Sequence, residues 1–295
     1  MAYNDQFKKY KLIYDDAEQA SEFNIEYLFG KKLVDRMEAP QYDGREPIHS
    51  NTMQDFEANI HTHLAKKDPF IYILDSFDSI TDEDEIKKVK ENIAIRKKVQ
   101  AGESKKKEKG SYGMAKAKGA SQLLRMIKKD IKDSGSVLII ISQTRDNIDP
   151  MSMAEKRRSG GTALKFYCTH EMWLAHVGFI KKAIHGIDRK IGIETKVKIS
   201  KNKLTGKYNE IFLPIYYDYG VDDIQSCIDF MLEEKLWKIK DGEIYCRELG
   251  LRGTIPQLIK QIEEKGAENL LRQAVRDAWL DIQDAMKLNR KKKYE

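Results

Sequence analysis

Apolar runs of strand length alternate along this chain with stretches of helical periodicity. KYKLIYD (9–15), FIYILD (70–75) and SVLIIIS (136–142) are apolar at successive positions rather than at every second one, and the first two end in an acid. Strands covered on both faces read in this way. Between them, MQDFEANIHTHLAKK (53–67) places Phe56, Ile60 and Leu64 at i, i+4 and i+8, an amphipathic helix that Asp68-Pro69 ends. Residues 22–37 suit a helix or a helix and turn. MAKAKGASQLLRMIKKDIKDSG (114–135) is a second amphipathic helix, closed by Gly135. The pattern predicts an α/β fold, a mostly parallel twisted sheet flanked by helices.

The pattern changes towards the C-terminus. KIGIETKVKISKNK (190–203) and NEIFLPIYY (209–217) predict antiparallel strands around the turn LTGK (204–207). TALKFYCTHEMWLAHVG (162–178) mixes a short helix with a strand. From Asp222 the periodicity becomes helical, with a turn at Asp241-Gly242 and a long helix over 267–288 that aligns Leu270, Val275 and Trp279. The expected organisation is a core over 1–221 and a small, mostly helical C-terminal domain over 222–295 with a basic tail. Two stretches interrupt the core. One is a basic excursion at 81–113, dense in charge. The other is a polar, glycine-ended loop at 146–161.

Composition narrows the class. The 295 residues are 41% hydrophobic and 34% charged, which supports a packed core with solvated faces. Cys168, Cys227 and Cys246 lie far apart with no CxxC pair, so a zinc site has no support and a reducing compartment fits. The start MAYNDQFKKYK has no apolar signal core, and no apolar run is long enough to span a bilayer. A cytoplasmic protein, bacterial or in a phage-infected host, is expected. The net charge of +6 suits an ordinary basic protein as well as a polyanion binder. The clustering of Lys105, Lys106, Lys107 and Lys109, and of Lys156, Arg157 and Arg158, favours a polyanion.

Sheets of this kind bind ligands at the carboxyl ends of their strands. Here those ends carry Asp15-Asp16-Ala17-Glu18, Asp75-Ser76 and Ser142-Gln143. A strand ending in Asp, as in FIYILDS, is the Walker B pattern, whose carboxylate holds magnesium directly or through water. A lone instance is more often a structural cap. Glu18 at a neighbouring strand end could polarise a water as general base. The neutral amide of Gln143 could sense a terminal phosphate and pass the contact to the following loop. Together they form a sharper signal than any one.

In order, DAEQA (16–20), FIYILDS (70–76), LIIISQTR (138–145), SGGTALKFY (159–167) and ETKVKISKNK (194–203) resemble the core of the RecA recombinase family, phage-encoded members in particular. The likeness runs from Lys9 to about Gln261. It implies a RecA-like fold and ATP-driven filaments on single-stranded DNA that act in recombination and repair. It further implies that Glu18 activates water, Asp75 is the Walker B acid for Mg2+, and Gln143 links the γ-phosphate to a DNA-binding loop at 147–161. In that loop Lys156, Arg157 and Arg158 would face phosphates, with Gly160 and Gly161 ending it. The 81–113 excursion, with Lys105, Lys106 and Lys107, takes the place of the other DNA loop. Lys201 and Lys203 would reach a neighbouring subunit's ATP, and Tyr217 falls on the adenine side.

One departure is plain. No GxxxxGK[ST] motif occurs in the sequence, so the loop that cradles β- and γ-phosphates is missing from it. The expectation is a DNA-dependent ATPase with little or no turnover alone, its P-loop lost by truncation or degeneracy or supplied by a separate chain. The alternative is a non-hydrolysing DNA-binding or accessory protein on a RecA scaffold. Other residues read as structural: His61 and His63 point to different sides of a helix, and Trp173, Trp237 and Trp279 suit core anchors. Tyr112, beside glycine in the excursion, is a candidate for base stacking.

Overall fold

The computed structural model describes residues 4–20, 24–101, 114–146, 156–158 and 163–290; for 114, 115, 145, 146 and 156–158 it describes the backbone alone. The chain divides into two compact units, Met1–Cys168 and Thr169–Glu295.

In the first unit, β1 (Lys11–Asp16) leads through the short helices α1 (Ile25–Phe29) and α2 (Lys31–Val34) to β2 (Met37–Glu38). A small hairpin, β3 (Gln41–Asp43) and β4 (Glu46–Ile48), precedes α3 (Met53–Ala65), β5 (Phe70–Asp75), α4 (Glu83–Gln100), α5 (Met114–Asp133) and β6 (Val137–Ile140). The sheet order is β2-β1-β5-β6 and every pairing is parallel, with Asp16 opposite Asp75 in register. Strands buried on both faces explain the continuous apolar runs: Phe70, Ile71, Tyr72 and Leu74 are all at 1% exposure or less. Met53, Phe56 and Ile60 of α3 and Ala120, Leu123 and Ile127 of α5 join the core. Each large apolar side chain so buried contributes about 1.5–3 kcal/mol.

α3 begins with a capping box between Thr52 and Asp55. The excursion at 81–113 opens as the eighteen-residue α4, which the charge density of that stretch obscured. Asp82 caps it by accepting from the Asp84 backbone N–H, acids occupy its first turn, and Lys97 and Lys98 stand in its last. The stretch expected as a loop at 146–161 has a paired base, β7 (Thr144–Asp146) against β8 (Lys156–Arg158). α6 (Ala163–Tyr167) follows.

The second unit is built on a long antiparallel hairpin, β9 (His170–Ile184) and β10 (Ile187–Asn202), extended by β11 (Glu210–Tyr216) and β12 (Gly220–Val221). His185 and Gly186 at its tip have φ of 53° and 75°, the two-residue geometry that matches strand twist. Then come α7 (Asp223–Glu233), the meander β13 (Ile239–Lys240), β14 (Glu243–Cys246) and β15 (Leu251–Gly253), and helices α8 (Ile255–Glu264) and α9 (Glu268–Ala285). These elements share a core of their own around Ile228, Trp237, Cys246, Leu258 and Ile262. In α9 the inward stripe is Leu271, Val275 and Ala278, with Trp279 against Phe230; Leu270, aligned with Val275 and Trp279 in the sequence reading, is 62% exposed. Among the described residues no helix is long and apolar enough to cross a membrane.

Candidate active site at the carboxyl edge of the parallel sheet

The parallel register fixes the edge. Because Asp16 pairs with Asp75 and Leu74 with Ile140, the chain leaves β1, β5 and β6 at one level. Glu18 returns to this edge with its backbone N–H donating to the Asp75 carbonyl at 3.1 Å. Its Oε1 accepts from the Ser76 hydroxyl and from Gln143 Nε2, the latter at 2.7 Å. The sheet thus brings together Glu18, Asp75-Ser76 and Gln143, and the Asp75–Ser76 peptide bond is cis.

Each of these side chains has support that the sequence did not single out. Tyr14 donates its hydroxyl to Asp75 Oδ2 at 2.8 Å, leaving the other carboxylate oxygen for a further partner. Phe77 N–H donates to the Ile141 carbonyl at 2.8 Å, and Gln143 N–H donates to Asp78 Oδ2 at 2.7 Å. The Ser142 hydroxyl is buried with no hydrogen-bond partner among the described residues. The one hint in the sequence was polar residues at the margins of apolar runs: Tyr14, Ser76 and Asp78.

Behind the edge lies a buried polar network. Asp15 is fully buried and accepts from Ser50 N–H at 2.8 Å, the Ser50 hydroxyl at 2.6 Å and the Tyr72 hydroxyl at 2.6 Å. Asn59 donates to Ser50 Oγ at 2.9 Å, and Gln41 to Asn59 at 2.6 Å. Burial first, then the adjacent Asp15 charge, drives the Tyr72 phenol far above its ordinary value, so it stays a donor. Asp16 N–H donates to His49 Nδ1 at 3.0 Å, which makes that nitrogen the acceptor. The buried carboxylate ties the carboxyl edge of the sheet to the segment that leads into α3.

The remaining candidates are distributed as follows. The backbone of Lys156, Arg157 and Arg158 forms β8 and pairs with Asp146, Arg145 and Thr144. Lys105, Lys106, Lys107, Tyr112, Gly160 and Gly161 lie outside the described residues. Lys201, Lys203 and Tyr217 belong to the second unit. Lys201 pairs in register with Glu171, Lys203 N–H donates to the Thr169 carbonyl, and Tyr217 is half exposed. Among the described residues no group of three or more His, Cys, Asp or Glu side chains could hold a metal ion.

A parallel sheet with these strand ends, a following antiparallel sheet and a C-terminal helical module is an α/β architecture of the RecA-like class. Residues 93–222 match the RecA N-terminal domain family. The chain is 34% identical over 157 residues to Protein RecA of Azoarcus sp. (strain BH72), a stretch covering 49% of this chain and 44% of that relative. It is also 34% identical over 116 residues to Protein RecA of Acinetobacter baylyi, covering 39% of this chain and 32% of that relative. Over these stretches the chain is similar to RecA proteins, and it spans less than half the length of these curated relatives. Gln143, β8, Lys201, Lys203 and Tyr217 fall inside the family match; Glu18 and Asp75 lie before it.

Proposed function

We propose that the chain acts in DNA recombination and repair in the manner of RecA, binding single-stranded DNA and assembling with copies of itself in the cytoplasm. The observation that carries this reading is the convergence of Ser76 and Gln143 on the Glu18 carboxylate, next to Asp75. In that reading Glu18 is the base that activates water, and Gln143 is the amide that exchanges its Glu18 contact for a terminal phosphate. Asp75 suits magnesium as a single carboxylate beside a hydroxyl. Such a set fits an ion held mainly by nucleotide phosphates and waters rather than by a protein cage. Bound Mg-ATP would supply the phosphoryl group and the charge neutralisation for its transfer. Lys156, Arg157 and Arg158, on the strand paired with the one that leaves Gln143, are the DNA-facing cations. Lys105, Lys106 and Lys107 add a second basic stretch, and Gly160 and Gly161 close the first. Lys201 and Lys203 would serve a neighbouring subunit's nucleotide and Tyr217 its adenine side.

The sequence contains no GxxxxGK[ST]. The isolated polypeptide should therefore bind ATP weakly and hydrolyse it slowly, and the phosphate cradle would come from another segment or chain. That same fact favours the second reading, a non-hydrolysing DNA-binding or accessory protein on this scaffold. Fluorescence anisotropy with labelled oligo(dT), titrated with salt, tests what the two share: affinity should fall steeply as salt rises. Absence of binding at about 50 mM salt would remove both. Phosphate release with and without oligo(dT) separates them, since a DNA-stimulated rate belongs only to the first.

A further inference from the structure

We propose that Lys116 is a positioning residue for Gln143, acting through Asp78. The role deepens the reading of Gln143 as a phosphate sensor and rests on it for its functional meaning. Lys116 sits in the first turn of α5 and is only 7% exposed. Its ammonium donates to the Asp78 carbonyl at 3.3 Å and lies 4.7 Å from the ring centroid of Phe77, itself 1% exposed. An ammonium carried into a nearly dry position requires acceptors and negative charge close by, or its desolvation goes uncompensated. Asp78 supplies the carbonyl, and the face of Phe77 adds a cation–π contact. On its other side Asp78 holds Gln143: its Oδ2 accepts the Gln143 backbone N–H at 2.7 Å. The Gln143 side chain in turn reaches Glu18.

These contacts form one path from the start of α5 to the water-activating carboxylate. Phe77, which packs in the core and bonds to the Ile141 carbonyl, keeps the 76–78 segment from swinging away. Movement of the first turn of α5 therefore reaches the sensor through its backbone. This route is separate from the loop that follows β7. It matters because α5 directly follows the lysine-rich stretch in the chain. An event on that stretch would change where Gln143 stands relative to Glu18.

Amide hydrogen exchange by NMR on the full chain, without nucleotide or DNA, tests the positioning. Lys116→Met should raise exchange at the Gln143 amide about tenfold, the loss of a charge-assisted hydrogen bond, and leave the β5 amides of Ile71–Leu74 unchanged. Lys116→Arg should restore protection. Asp78→Ala, which removes the acceptor, should raise Gln143 exchange by itself and make Lys116→Met nearly silent when the two are combined. Should Lys116→Met fail to fold, the Asp78→Ala result carries the test. Unchanged Gln143 exchange in Asp78→Ala, no restoration by Arg, or an equal rise across β5 would overturn the proposal. The measurement needs no DNA or ATP, so failure of the functional reading would appear separately, as absent oligo(dT) binding.

Discussion

Gln143 donates its side-chain amide to Glu18 at 2.7 Å across 125 residues of sequence, although one follows β6 and the other follows β1. The two strands are separated in the sheet by β5, so only a shared level at the carboxyl edge lets the side chains meet. Glu18→Gln keeps the size of the side chain and removes its basicity. Residual ATP turnover should fall about 100-fold or more, as for loss of a general base, with oligo(dT) affinity and far-UV circular dichroism unchanged. A stopped phosphate-release assay at saturating oligo(dT) reads this. Turnover equal to that of the unaltered chain would take Glu18 out of the catalytic role.

The basic strand β8, which follows Gln143 in the chain, should govern salt dependence. Replacing Arg157 and Arg158 together by Ala removes two cations from β8. On single strands each phosphate contact contributes about 0.7 to the slope of log affinity against log salt, so the slope should drop by about 1.4. Affinity should fall alike for different oligonucleotide sequences, because phosphate contacts carry no base information. Anisotropy titrations at several salt concentrations measure both.

The buried Asp15 network predicts a stability cost without a functional group being touched directly. Tyr72→Phe deletes one of the donors to a fully buried carboxylate. The remaining Ser50 donors hold Asp15 only in part, and the cost should be about 1–3 kcal/mol in chemical denaturation. Asp15→Asn should cost a similar amount, since an amide oxygen at Oδ2 can still accept from the Ser50 and Tyr72 hydroxyls but the amide nitrogen then faces the Ser50 N–H, which it cannot accept. A neutral outcome for both would mean that water replaces the lost partner.

Much of this arrangement was legible in the sequence, for physical reasons that differ by element. β1, β5 and β6 announced themselves because burial on both faces leaves continuous apolar runs, and the acids ending β1 and β5 marked the carboxyl edge. Asp241-Gly242 was readable because its positive φ values, 54° and 77°, belong to a recognisable turn pair. α4 was less visible because its sequence is charged nearly all round, so its helical order comes from capping by Asp82 and charge placement rather than from an apolar face. Leu270 aligns with Val275 and Trp279 in the sequence because a helical stripe can be phased either way by one residue; burial of Leu271 in the C-terminal core sets the phase. The links of Tyr14 to Asp75, and of Asp78 to Gln143, are contacts between distant segments, which no local pattern encodes.

That phase in α9 can be tested by paired substitutions. Leu271 is 1% exposed and Leu270 is 62% exposed, one position apart. Leu271→Ala should destabilise the C-terminal module by about 2–5 kcal/mol, through lost burial and an incompletely filled cavity. Leu270→Ala should change stability by no more than about 0.5 kcal/mol. The reversed order in thermal denaturation would return the helix to the phase read from sequence.

His63 sets a pH dependence for the first unit. It is buried at 4% exposure, bonds through Nε2 to the Pro40 carbonyl at 3.2 Å and lies edge-on to Tyr72. Burial first, then the nearby Lys66 charge, lowers its pKa below the ordinary imidazole value, while the Pro40 contact and Glu38 oppose that shift and Lys11 adds to it. In the unfolded chain His63 takes up a proton near the ordinary value; in the folded chain it does so only at lower pH. Stability from this group is therefore complete above the ordinary value and declines as pH falls from there to the lowered one. His63→Gln can retain a donor to Pro40 and cannot titrate. Its denaturation midpoint should lose this part of the pH dependence between about pH 6.5 and the onset of carboxylate protonation, while the unaltered chain keeps it. Parallel curves for the two proteins through that window would show that His63 is not the group responsible.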